Sequence, residues 1–255
     1  MTLTTPRPSD CEVRQSLPFT LQEVRSAIPS HCFQPQLGRS LAYFFRDLGL
    51  IALLYGIAIQ VDHSGIFAQL GPVWGFLGQL IFWPLFWFSQ GTLFWALFVV
   101  GHDCGHGSFS RQRWLNHLVG HLSHTPILVP YHGWRISHRT HHANTGNIDN
   151  DESWYPVTES RYRNMTWFEK LARFHLILFL YPLYLFKRSP GKQGSHFLPD
   201  SPLFRPSEKN QVLTSTICCG LMLVLLAGLG WQYGLGALLK FYGMPYLVFV
   251  IWLDL

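Results

Sequence analysis

An all-α integral membrane protein is predicted by three features of this sequence. They are four long apolar stretches, a charge content far below that of soluble domains, and two histidine clusters set just beyond apolar runs. Hydrophobic residues make up 48% of the 255, aromatics 16% and charged residues only 13%, against roughly a quarter charged in a typical soluble domain.

Residues 1–40 are polar and proline-containing and hold Arg7, Arg14, Arg25 and Arg39. They show no apolar core followed by a cleavage site, so no secretory signal is read there and the first span is expected to direct insertion. Residues 41–61 form that span, with Arg46 and Asp47 near one end, where Arg46 can snorkel to the interface. The link 62–79 has no Lys or Arg. Residues 80–100 are 21 uncharged positions, enough to cross the hydrocarbon layer as a helix. Residues 212–231 and 238–255 read as the third and fourth spans, the last with Lys240 at its start.

The segment 101–210 holds 13 of the 19 basic residues, and the short link 232–239 holds none. Basic residues favour the cytoplasmic side, which places the N-terminus and the central segment there and makes four spans alternate consistently. The expected organisation is a cytoplasmic N-terminal segment, 1–40, and a membrane domain, 41–255. Two apolar stretches of the central segment are too short to span. Residues 118–129 carry His121 and His124 and end at Pro130, while 174–186 carry His175 and are interrupted by Pro182. Both read as interfacial or re-entrant helices. Trp154, Tyr155, Tyr162 and Trp167 suit headgroup-level anchors or an acyl groove.

The histidines carry the chemistry. On a helix, residues four apart share a face, so His102 and His106 in GHDCGHGSF can aim two imidazoles at one point. His138, His141 and His142 in ISHRTHHANTGN stand at i, i+3 and i+4 and make a three-nitrogen patch. Five imidazoles exceed what one tetrahedral zinc takes from two such patches. Imidazole alone suits several transition metals, yet a histidine-rich polynuclear site at a bilayer points to iron and dioxygen. The general base of H-E-x-x-H proteases is also absent, since the first box reads H-D-C-G-H. The bland alternative, a set of satisfied core histidines, is disfavoured by the cost of ionisable groups at membrane depth. His117, His121 and His124 share a helical face and are expected to support the ligands through hydrogen bonds. Asp149, Asp151 and Glu152 either orient ligands or belong to a solvated turn.

Five cysteines (Cys11, Cys32, Cys104, Cys218 and Cys219) are odd in number and lack paired spacing, which argues against a disulfide framework. No Gly-rich dinucleotide fingerprint follows a strand, so electrons must come from a separate carrier. The central segment, with 13 basic and 8 acidic residues, offers a positive face on which an acidic carrier can dock, although anionic headgroups account for much of that charge. No nucleic-acid partner is expected.

HDCGH followed by HRTHH, with GHLSHTPILVPYHGWRIS between them and ANTGNIDNDESW after, resembles the membrane fatty acid desaturases, in particular the omega-3 (delta-15) branch of cyanobacteria and chloroplasts. The likeness covers nearly the whole chain and is dense from Gln90 through Pro206, including SPGKQGSHFLPDSPLFRP. It implies a non-haem di-iron centre, ligated by His102, His106, His138, His141 and His142, that uses dioxygen and ferredoxin-supplied electrons to place a cis double bond in lipid-linked acyl chains, linoleoyl to linolenoyl. A third H-x-x-H-H follows the fourth span in that family. This chain ends at Leu255 inside an apolar segment, so the resemblance implies an N-terminal fragment lacking the third box. Related membrane di-iron desaturases of other regioselectivity or hydroxylases, or an inactive truncated fragment, are the alternatives.

The basic-residue asymmetry makes a topological prediction. A reporter active only in the cytoplasm is expected to work when fused after Gly191 and to fail after Ser64; the reverse pattern would invert the orientation.

Overall fold

The computed structural model describes residues 18–147, 149–152, 156–174, 181–187 and 193–254. Arg7, Cys11, Arg14, Trp154, Tyr155 and His175 lie outside the described residues. Among the described residues every regular element is helical. Four helical stretches, Leu37–Ser64, Pro72–His106, Pro206–Tyr233 and Leu235–Leu253, are long and apolar enough to cross a membrane, in agreement with the four predicted spans. The chain is therefore an all-α integral membrane protein.

Two compact units are distinguished, Met1–Pro35 and Gln36–Leu255. In the first, α1 (Leu21–Ala27) is opened by a capping box: the Thr20 hydroxyl accepts from the Glu23 backbone N–H, and the Glu23 carboxylate accepts from the Thr20 backbone N–H. A 3-10 turn follows at Ser30–Phe33.

The second unit begins with α2 (Leu37–Ser64), which ends where Gly65 takes φ 63, a left-handed conformation that costs glycine little. Arg46, on α2, is exposed and donates to the buried Asp47 at 2.7 Å. Then come α3 (Ile66–Gln69) and α4 (Pro72–His106), which starts eight residues before the predicted span and continues six residues beyond it. Pro72 stands at the first position of α4, where its missing N–H costs nothing. At 1.5 Å per residue this single helix is about 50 Å long, more than the hydrocarbon layer requires, and its last turns carry the first histidine box.

After α4 come α5 (Arg113–His124), a 3-10 turn at Thr125–Ile127 and α6 (Tyr131–Asn144). Leu128, at φ 58, redirects the chain between α5 and α6. Trp114, Leu118 and Leu122 form an exposed apolar stripe on α5, while Val119, Ser123 and His124 are buried. This is the two-faced pattern of an interfacial helix. Short helices α7 (Glu159–Asn164), α8 (Trp167–Phe174) and α9 (Tyr181–Phe186) follow. Pro182, expected to interrupt the 174–186 stretch, lies in α9, and residues 175–180 are outside the described residues. Long helix α10 (Lys209–Tyr233) leads through α11 (Leu235–Leu238) and a π turn at Leu239–Gly243 to α12 (Met244–Asp254).

Helix α4 is the centre of the packing, touching α2, α5, α6 and α12. It runs antiparallel to α2, since Tyr55 meets Phe86 (6.0 Å between centroids) while Phe44 meets Phe109 (6.5 Å). It runs parallel to α12: the Lys240 ammonium sits over Trp83 at 4.7 Å, and Trp252 Nε1 donates to Thr92 Oγ1 at 2.9 Å. Phe94, Phe98, Ile127, Val129, Trp134, Phe249 and Val250 fill the core beneath the histidine end. The outer faces, including Leu80, Ile81, Leu85, Leu221, Val224 and Leu225, remain exposed and apolar, as lipid contact requires.

The α4–α12 contact depends on Gly91, where a Cβ atom would fall 2.5 Å from both the Pro245 carbonyl oxygen and Val248 Cβ. Gly91→Leu is expected to push α12 off α4 and lower the thermal midpoint of the detergent-solubilised protein, a cost of about 1–3 kcal/mol. An unchanged midpoint would contradict this packing.

Candidate metal centre

Two helix faces build the site. His102 and His106 lie on the last turns of α4, and their Nε2 atoms are 3.2 Å apart. His138 and His142 stand one turn apart on α6 with Nε2 atoms 3.0 Å apart. The two pairs converge so that one ring nitrogen from each of the four lies within 4.8 Å of the others. Four nitrogen lone pairs at that spacing are poor neighbours for one another and good neighbours for a cation, so this donor set fits a transition metal.

The surroundings hold the rings in place. Trp134, one turn before His138 on α6, stacks on it at 4.3 Å and meets Phe98 edge-on at 5.1 Å. Under the site, the buried His124 ring donates from Nε2 to the Phe98 carbonyl at 3.0 Å and stacks on the Phe98 ring at 4.9 Å. Gly101 leaves the space for it: a Cβ there would lie 2.1 Å from His124 Cδ2. On its far side α6 is tied to α10 and the turn just before it, with Arg135 donating to Gln211 at 2.7 Å and Arg139 to Glu208 at 2.6 Å.

Electrostatics favour neutral imidazoles. Burial, and then the facing rings of His102, His142, His106 and His141, push His138 down to about 3, which leaves its lone pair free for a metal near neutral pH. Carboxylates stand behind two other rings. Asp103 Oδ1 is 3.1 Å from His102 Nδ1, and the buried Asp151 Oδ1 is 2.7 Å from His141 Nδ1. A carboxylate at Nδ1 places the proton there and turns Nε2 into the donor atom.

Of the five histidines singled out in the sequence, the structure thus brings four together. His141 lies beside the group, with centroids 6.0 Å from His138 and 5.5 Å from His142, and spends its Nδ1 on Asp151. His117, His121 and His124, expected as one supporting face, separate. His124 joins the layer under the site, whereas His117 and His121 turn to His132 at 4.8 Å each. Sequence reasoning missed His132 because it falls outside the i, i+3, i+4 pattern of the second box. It also missed His196, fully buried, whose backbone carbonyl sits against Gly133 where a Cβ would fall 2.0 Å away. Only the burial of α6 reveals that contact. Cys32, Cys104, Cys218 and Cys219 are free thiols, as their spacing suggested.

Comparison with known proteins is direct. A family model described as fatty acid desaturase matches residues 79–255. Over 94% of its length the chain is 62% identical to an sn-1 acyl-lipid omega-3 desaturase (ferredoxin) of Synechocystis sp., covering 63% of that protein. A protein of the same description from Nostoc sp. is 61% identical over 94% of the chain and 62% of its own length. A chloroplastic omega-3 fatty acid desaturase of Sesamum indicum is 52% identical over 93% of the chain and half of its own length. The chain therefore spans less than two thirds of the relatives it matches.

The buried imidazoles also set a pH dependence. Burial first, aided by neighbouring charge, pushes His121 down to about 4, His124 to about 3 and His132 to about 2. The unfolded chain takes up protons below about 6.5 while these folded rings do not. Their contribution to stability is complete above that value and is lost as the pH falls toward 4 and below. The thermal midpoint in detergent is expected to be lower at pH 5 than at pH 7; a midpoint that is flat or rises on acidification would contradict the burial of these rings.

Proposed function

Since the chain belongs to the fatty acid desaturase family, we propose that it supplies the first two histidine boxes of an omega-3 acyl-lipid desaturase, converting lipid-linked linoleoyl to linolenoyl chains. The observation that carries this reading is the meeting of four imidazole nitrogens, from α4 and α6, at the end of a helix long enough to cross the membrane.

In this reading His102, His106, His138 and His142 hold iron, and His141 offers its Nε2 to the same di-iron centre while Asp151 fixes its ring. Bound iron would supply the reduction of dioxygen that takes one hydrogen from each of two adjacent methylenes, with two electrons, two protons and O2 leaving as two waters. The chain's own residues do the positioning, which matters because the methylenes of an acyl chain are chemically alike. Trp134 and Phe98 wall the site with apolar surface, and the length of α4 beyond what the hydrocarbon layer needs supports a site at the membrane edge, within reach of an acyl chain. The basic residues of the central segment support a cytoplasmic side for the histidines, where a ferredoxin-type donor, named for the Synechocystis and Nostoc relatives, can dock. A thylakoid or plasma membrane fits cyanobacterial and chloroplastic kinship.

Joined to the C-terminal remainder of the Synechocystis relative and expressed in a host lacking omega-3 desaturation, the chain is expected to yield linolenoyl lipids. His106→Ala or His141→Ala should bring the product below detection, whereas the exposed His31→Ala should retain it. Asp151→Asn should weaken iron binding about 10–100-fold with helix content unchanged by circular dichroism. A hydroxylated product, or desaturation that survives His106→Ala, would overturn the reading.

A further inference from the structure

Outside the four-histidine box, α5 and α6 each set an arginine and a histidine on one helical face. Arg113 and His117 stand four residues apart on α5, and His132 and Arg135 three apart on α6. The two rings meet with centroids 4.8 Å apart. The Arg135 stem rests on α4 at Gly105, where a Cβ would lie 3.3 Å from Arg135 Cγ. Its guanidinium donates to Gln211 on α10 at 2.7 Å, and the His132 backbone N–H donates to Ser215 Oγ at 2.8 Å. Packing against α4 and α10 therefore fixes the α6 pair.

These donors lack acceptors. His117 Nδ1, His132 Nδ1 and Arg135 Nε are buried and have no hydrogen-bond partner, although buried polar atoms are nearly always paired. Positive charge is also in excess. Glu208 is the carboxylate whose charge reaches Arg135, and it already accepts from Arg139 at 2.6 Å and from the Arg205 backbone N–H at 3.0 Å. Burial first, and then the charges of Arg135 and Arg113, hold His117 below its usual range, while burial first pushes His132 down to about 2. Both rings are therefore neutral near pH 7, and each offers one N–H. Two guanidiniums beside two neutral N–H donors repel a cation and attract an anion.

We propose that Arg113, His117, His132 and Arg135 form a binding site for a tetrahedral oxyanion, a phosphate or sulfonate, that bridges α5 to α6. Guanidinium forks match the oxygens of such a group, and charge-assisted hydrogen bonds to it are the strong kind. An anionic lipid headgroup and a free anion present the same chemistry. The two-faced α5, with Trp114, Leu118 and Leu122 exposed on its apolar side, brings the site to the level at which headgroups lie. This site does not rest on the desaturase reading.

The test is the thermal midpoint of the chain in uncharged detergent, with inorganic phosphate in one arm and phosphatidylglycerol in another. Chloride at matched ionic strength and an uncharged glycolipid serve as blanks. Saturating ligand should raise the midpoint by at least ~2 °C, and Arg113→Gln, at an exposed position, should weaken binding at least ~10-fold. A rise with phosphate alone identifies a free anion as the occupant, and a rise with phosphatidylglycerol alone identifies a headgroup; either supports the site. No rise in either arm, or equal binding by the Arg113→Gln protein, would overturn it. A second measurement uses the unmutated chain, so no folding defect can blur it. The ligand should slow phenylglyoxal modification of Arg113 and Arg135 several-fold, read peptide by peptide by mass spectrometry, and leave the exposed Arg163 on α7 unchanged. Modification of Arg113 and Arg135 at the unliganded rate would equally overturn the proposal. Neither readout depends on metal or lipid product, so failure of the desaturase assay and failure of this site are distinguishable.

Discussion

The close approach of α6 to the end of α4, over the buried ring of His124, is the constraint on which the metal centre depends. Gly101 provides the clearance, the His124–Phe98 hydrogen bond ties the end of α5 to α4, and Trp134 transmits the contact to His138 by stacking. A metal cluster needs its ligands within a few tenths of an ångström of their working positions. Two helices can supply such precision only if their crossing is fixed by dense packing, and the buried core below the histidines provides it.

The membrane enters the same logic from the other side. Because α4 continues unbroken from the apolar span into the first box, its histidines inherit the position and rotation of a helix already held by α2 and α12. A break at the membrane surface would have left His102 and His106 on a loop. Acid groups serve the rings rather than the bulk solvent: the buried Asp151 beside His141 sets the tautomer of a ring that the box itself does not enclose. Buried neutral imidazoles recur at the α5–α6 junction, where three more rings meet without hydrogen-bond partners for their buried nitrogens.

Much of this architecture was legible in the sequence. Uninterrupted apolar length locates the spans of α2, α4, α10 and α11–α12, since hydrocarbon permits little else, and the i, i+4 spacing already placed His102 with His106 and His138 with His142. The start of α4 at Pro72 was less visible, because Gly75, Gly78 and the polar residues nearby weaken the apolar signal. What periodicity could not show was pairing between distant segments. His141 and His142 are equivalent in spacing, yet one faces α4 and the other takes Asp151. His132 has no repeat partner in α6 at all; its neighbours come from α5. His117 and His121 share a helical face with His124 in the sequence, but they turn to His132 while His124 packs on Phe98 and Trp134.

X-ray absorption at the iron edge of the anaerobically iron-loaded chain tests the central claim most directly, since imidazole ligands leave a characteristic multiple-scattering pattern. The account predicts a first shell dominated by nitrogen with strong imidazole scattering, most of which disappears in the His138→Ala/His142→Ala protein. Iron bound through oxygen alone, or an imidazole signal unchanged in that variant, would contradict the assignment of α4 and α6 as the metal-holding pair.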